Sequence, residues 1–126
     1  MSQRTGFFKS FGYAGNGIKA AFKNEPNFRI HTTFAIITFI LGVILHFSSI
    51  QWILLILTIS YVIILELINT AIEEIVDKVS PNYSASAKLI KDVSAAAVLI
   101  AAVAAALTGL LLFGPNILRL VSSLAH

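Results

Sequence analysis

The run VSAAAVLIAAVAAALTGLLLF, Val93–Phe113, holds 21 residues without a single charge. At about 1.5 Å of helical rise per residue it reaches ~30 Å, the thickness of a bilayer's hydrocarbon core. Ala97, Ala101, Ala105 and Gly109 recur in it at every fourth position. On a helix these small side chains form one row. Such rows let backbones approach closely in lipid, where packing replaces the hydrophobic drive. The row serves either bundling within the chain or a contact between protomers.

Two further apolar stretches lie upstream. Ile30–Phe47 contains His31 as its only ionisable residue before His46, and Trp52–Leu65 contains no charge before the helical pattern continues through Glu66 to Val79. The composition agrees: 12% of residues are charged and 57% hydrophobic, whereas a soluble domain carries roughly 25% charged residues to face water. Lipid is the solvent that this chain fits. With no cysteine, a disulfide framework, a thiolate nucleophile and a cysteine-based zinc site are excluded. Residues 1–29 show no apolar core of signal-peptide length, and Ser2 stands where a myristoylation site needs glycine. No internal repeat is evident.

Basic residues orient the spans. Arg4, Lys9, Lys19, Lys23 and Arg29 precede the first stretch, and Lys78, Lys88 and Lys91 surround the connector between the second and third. The loop at Ser48–Gln51 has neither lysine nor arginine. The positive-inside rule therefore predicts a cytoplasmic N-terminus and second connector, with the C-terminus outside. Before the first span, Phe7, Phe11, Ala14, Ile18 and Phe22 share one helical stripe opposite Lys9, Lys19 and Lys23. That pattern predicts an amphipathic helix in the headgroup plane. Gly12, Gly15 and Gly17 weaken it, and equally permit close approach of a ligand. They lack the strand and the Gly-Lys-Ser/Thr ending of a nucleotide loop. The expected architecture is all-α: one integral-membrane domain over residues 1–126, with a surface helix at about 5–24 and transmembrane helices at about 28–47, 52–79 and 85–113. The tail from Gly114 to His126 reads as a short amphipathic end.

The carboxylates are Glu25, Glu66, Glu73, Glu74, Asp77 and Asp92, all on the predicted cytoplasmic side. On a helix, Glu66, Asn69, Glu73 and Asp77 fall within about 80° of arc, and Glu74 points elsewhere as a solvated charge. Trp52 to Glu66 covers ~21 Å of helix, which puts Glu66 and Asn69 inside the leaflet, Glu73 at its boundary and Asp77 beyond. Carboxylates within a membrane are costly and usually functional. A plain polar lock between helices needs only one or two such groups.

The column suits phosphoryl transfer to a lipid hydroxyl. Mg²⁺ takes carboxylate and phosphate oxygens, which Glu73 and Glu25 can share. Lys91 offers charge to phosphates and Asn69 a neutral donor. Glu66, the deeper acid, suits the role of base. His31 and His46 lack companions at metal-ligand spacing and read as interfacial side chains. A proton-coupled transporter using Glu66 would place its carboxylate nearer the midplane, and a noncatalytic helix-bundle subunit would not need Glu25, Glu73 and Lys91 together.

The run Glu66-Leu67-Ile68-Asn69-Thr70-Ala71-Ile72-Glu73-Glu74-Ile75-Val76-Asp77 resembles the signature of the bacterial diacylglycerol kinase and undecaprenol kinase family. Asn24-Glu25-Pro26-Asn27-Phe28-Arg29, Ala87-Lys88, Lys91-Asp92 and the alanine-rich third span resemble it as well. The resemblance implies a homotrimer with sites shared between protomers, Mg-ATP as donor and a lipid alcohol as acceptor. It implies Glu66 as proton acceptor, and Glu25 and Glu73 as metal and nucleotide ligands. It implies Asn69, Lys91 and Asp92 around the phosphates, with Tyr13 and Asp77 on the nucleotide. Phe28-Arg29-Ile30-His31, Gln51-Trp52 and Ala106-Leu107-Thr108-Gly109 look closer to the undecaprenol kinase branch. Two features depart from the family pattern. Asn82-Tyr83-Ser84 replaces an acid, tyrosine and histidine, and Gly6 stands where diacylglycerol kinases have an arginine, leaving Arg4 or Lys9 as substitutes.

Overall fold

A computed structural model describes residues 6–125, as four helices: α1 (Phe7–Asn24), α2 (Pro26–Ile44), α3 (Ser49–Val79) and α4 (Ala85–Leu124). Arg4, one candidate substitute for the absent arginine, and Thr5, the expected start of the surface helix, lie outside the described residues. The last three helices are each long and apolar enough to cross a membrane, so the chain is a multi-pass membrane protein with one additional N-terminal helix. Between 11% and 22% of each span's most apolar segment is buried within the chain. The remaining apolar surface faces lipid or other chains.

Local chemistry explains the element ends. Pro26 opens α2 at a position where its missing N–H costs nothing, and Glu25 precedes it as N-cap without using its side chain for capping. The α2 end is a Schellman motif: the Phe47 N–H donates to Gly42 O at 3.0 Å and the His46 N–H to Val43 O at 3.1 Å. His46 takes the left-handed conformation this requires, at φ 52°. Its position is thus dictated by the turn. Ser48 and Gln51 form a reciprocal capping box at the start of α3, with the Ser48 N–H donating to Gln51 Oε1 at 2.9 Å. Ser84 caps α4 through the Ala87 N–H.

Two expectations need adjusting. α1 is continuous through Gly12, Gly15 and Gly17, and a Cβ at each would meet open space, so nothing in the chain presses on those backbones. α4 does not stop near residue 113 but continues to Leu124 with Pro115 inside it. Helical geometry in the Gly114–Leu124 end tolerates the lost hydrogen bond, and Asn116 Nδ2 donates to Leu112 O at 2.8 Å nearby.

α3 is the central element, packing against α1, α2 and most extensively α4. At the bundle end opposite the acidic residues, Phe47 stacks on Phe113 (centroids 4.9 Å apart) and meets Trp52 edge-on, and Leu55 and Leu112 are buried with them. Gly42 is required there: a Cβ would stand 3.0 Å from Trp52 Cη2 and 3.2 Å from Phe47 Cδ2. Of the small-residue row, Ala101 is fully buried within the bundle. A Cβ on Gly109 would meet open space, so that end of the row has no close partner in the chain.

Candidate functional site

The site grows from the lower half of α3. Glu66 is 2% exposed, the one buried charged side chain among the described residues. α3 buries it because Leu55, Val62, Glu66 and Val76 share the inward face. Its Oε1 has no hydrogen-bond partner among those residues. His31 Nε2 on α2 lies 3.2 Å away without forming a hydrogen bond to it. The Thr70 hydroxyl donates to the Glu66 backbone carbonyl, not to its carboxylate.

One turn further along α3, Asn69 does not lock to Glu66. Its Nδ2 donates to Glu73 Oε1 at 3.3 Å, and its Oδ1 accepts from Ser94 Oγ on α4 at 2.6 Å. Ser94 is itself buried and lies 3.0 Å from the Lys91 carbonyl. A hydroxyl on Oδ1 obliges the amide NH₂ to face Glu73, so α4 sets the orientation of an α3 side chain. Beyond this, Lys91 Nζ donates to both Asp77 oxygens, at 2.9 and 3.2 Å, joining α4 to the last turns of α3. Glu25, at the α1–α2 junction, lies with Glu73 within coulombic range of both Glu66 and Lys91. Arg29 Nη1 donates to Lys23 O at 3.1 Å and ties that junction down.

The geometry thus brings Glu66, Asn69, Glu73, Asp77, Lys91 and Glu25 to one end of the bundle. Asp92 is not drawn in: it pairs with Lys88 along the exposed face of α4. Glu74 pairs with Lys78 at 3.6 Å in solvent, as its off-face position implies. Tyr13 and Tyr83 are exposed. Two residues were not legible as parts of the site. Ser94 sits in an apolar run where a serine passes unnoticed. His31 gave one clue, as the sole ionisable group of its span on the same side as Glu66. Neither contact is periodic, since each depends on how helices face one another.

An apolar groove of about 380 Å³ begins at Ile30 and His31 and runs between α2, α3 and α4 to Leu112 and Phe113. His31 lines it, and Glu66 stands immediately behind. A buried acid at the end of an apolar groove, below a cluster of carboxylates and a lysine, can take a proton from a lipid hydroxyl while phosphates gather above.

A family model described as prokaryotic diacylglycerol kinase matches residues 12–113, a stretch that contains every candidate site residue. The undecaprenol kinase of Bacillus subtilis (strain 168) is 40% identical over 111 residues, covering 88% of this chain and 90% of that protein. The diacylglycerol kinase of Synechocystis sp. is 43% identical over 113 residues, 89% of this chain but 65% of that longer protein. The diacylglycerol kinase of Escherichia coli (strain K12) is 36% identical over 107 residues, covering 82% of this chain and 88% of that protein.

Proposed function

The chain belongs to the prokaryotic diacylglycerol kinase family of membrane lipid kinases, and from that premise we propose that it transfers the γ-phosphoryl group of ATP to the hydroxyl of undecaprenol. The observation that carries this reading is Glu66: a buried carboxylate on a membrane-spanning helix, with an unpartnered oxygen beside an apolar groove. Membership of a kinase family also displaces the transporter and helix-bundle readings.

In the proposed reaction the acceptor's chain lies in the groove and its hydroxyl reaches Glu66. The hydroxyl proton passes to the carboxylate as its oxygen bonds to the γ-phosphorus. The bond from that phosphorus to the β,γ-bridging oxygen breaks, and ADP leaves. Glu25 and Glu73 would hold Mg²⁺. No group of three or more candidate ligands comes together among the described residues, so a metal held by these two would need water and phosphate oxygens to complete its shell. Bound there, Mg²⁺ supplies charge neutralisation. Asn69 restrains Glu73, Lys91 faces the phosphates, Asp92 would join them only by leaving Lys88, and Tyr13 and Asp77 contact the nucleotide. Lys91 then exchanges Asp77 for phosphate oxygens, which an exposed ion pair of little net strength allows.

We read the acidic end as cytoplasmic, from the lysines and arginines around it, and the C-terminus as outside. Spans so little buried within one chain suit a homotrimer whose neighbours cover them and complete shared sites. Diacylglycerol is the second reading for the acceptor, favoured by the Synechocystis relative's name. The undecaprenol choice rests on Phe28-Arg29-Ile30-His31, Gln51-Trp52 and Ala106-Leu107-Thr108-Gly109. A γ-labelled ATP assay in bilayers offering both lipids side by side tests it. Preferential labelling of undecaprenol supports the reading, preferential labelling of diacylglycerol replaces the acceptor, and labelling of neither overturns it.

A further inference from the structure

Among the described residues no donor is bonded to Glu66 Oε1, and the polar side chains around it make their hydrogen bonds to other groups. The Asn69 amide donates to Glu73, the Ser94 hydroxyl bonds Asn69 and the Lys91 carbonyl, and the Thr70 hydroxyl donates to the Glu66 main chain. Glu25 and Glu73 contribute only like charge. His31 remains. Its Nε2 lies 3.2 Å from Glu66 Oε1, close enough to hydrogen bond once the ring N–H is turned onto the oxygen. The terminal torsion of a histidine is broad and soft, and catalytic hydrogen bonds commonly align only when substrate is bound. The ring is also the polar link between carboxylate and groove, since it touches both.

We propose that His31 is a positioning residue for phosphoryl transfer: its Nε2–H donates to Glu66 Oε1 and fixes the carboxylate so that its other oxygen meets the acceptor hydroxyl. This rests on the reading of Glu66 as base. A carboxylate free to rotate in an apolar setting would spend much of its time misaimed, and one donor on one oxygen removes that freedom. The contact joins α2 to α3, so the same bond ties the groove wall to the base.

The test exploits atom placement. A glutamine amide nitrogen falls near the Nε2 position, whereas an asparagine amide nitrogen falls near Nδ1 and cannot reach Oε1. His31→Gln and His31→Asn are both polar and comparable in size, so bulk effects on folding are matched. Initial rates in bilayers give kcat and KM for ATP and for lipid, with Glu66→Gln as the control. The expected result is that His31→Asn lowers kcat about tenfold or more with KM for ATP unchanged, and that His31→Gln recovers most of the rate. His31→Asn in the Glu66→Gln background adds no further loss. Equal losses in His31→Asn and His31→Gln, or wild-type kcat in His31→Asn, overturn the positioning role. Full turnover by Glu66→Gln instead overturns the base assignment beneath it, so the two failures are distinct.

Discussion

Ser94→Ala is the perturbation whose size can be worked most closely from the structure. The substitution removes one hydroxyl and leaves Asn69 Oδ1, which accepts from it at 2.6 Å, without its donor. An unsatisfied polar group costs about 1–3 kcal/mol in a soluble core. In a membrane the unfolded reference state finds other partners, and interhelical hydrogen bonds average ~0.6 kcal/mol with a maximum near 1.7. Ser94 is buried and the contact is short, so a coupling of about 1–1.7 kcal/mol between Ser94 and Asn69 is expected. The assay is a double-mutant cycle of Ser94→Ala with Asn69→Ala, read by reversible unfolding in mixed detergent micelles. Freed from Ser94, Asn69 also loses its fixed orientation toward Glu73, so KM for ATP should rise several-fold, where ~1.4 kcal/mol corresponds to tenfold. Additivity of the two substitutions within about 0.3 kcal/mol, with KM unchanged, refutes the claim that α4 orients Asn69.

Three other outcomes follow from the same geometry. Gly42→Leu should destabilise the bundle by about 1–3 kcal/mol through overpacking against Trp52 and Phe47, seen as a lower unfolding midpoint. His46→Gly should stabilise it by about 0.5–1 kcal/mol, because the left-handed position at φ 52° strains any side chain, and an unchanged or lower midpoint in the same experiment contradicts this. Lys91→Met should leave folding intact, since its ion pair with Asp77 is largely exposed, while kcat/KM for ATP falls at least tenfold. A stability loss with normal kinetics would make Lys91 structural.

The spans were legible because twenty-odd apolar residues admit few other structures, and the polar column because helical spacing alone aligns Glu66, Asn69, Glu73 and Asp77. The Ser48–Gln51 box and the proline start of α2 are equally local signals. What escaped the sequence was set by contacts between helices. Asn69 has Glu66, Glu73 and Ser94 all within plausible reach, and only the packing of α4 on α3 decides among them. His31 reads as an interfacial residue until α2 is laid against α3. The continuation of α4 past Pro115 was hidden for a different reason: the uncharged run ends at Phe113, and helical hydrogen bonding carries on where the hydrophobic run stops.

Glu66, proposed as the group that takes the acceptor's proton, is the residue on which the phosphoryl transfer turns. Glu66→Gln keeps the shape of the side chain and removes its charge. Measured together in bilayers, label transfer from γ-labelled ATP to lipid and equilibrium binding of a nonhydrolysable ATP analogue separate chemistry from binding. Transfer should fall at least a hundredfold while nucleotide affinity stays within about twofold, since Glu66 is buried away from the residues proposed to hold the phosphates. Transfer at the wild-type rate, or a loss confined to nucleotide affinity, contradicts that role.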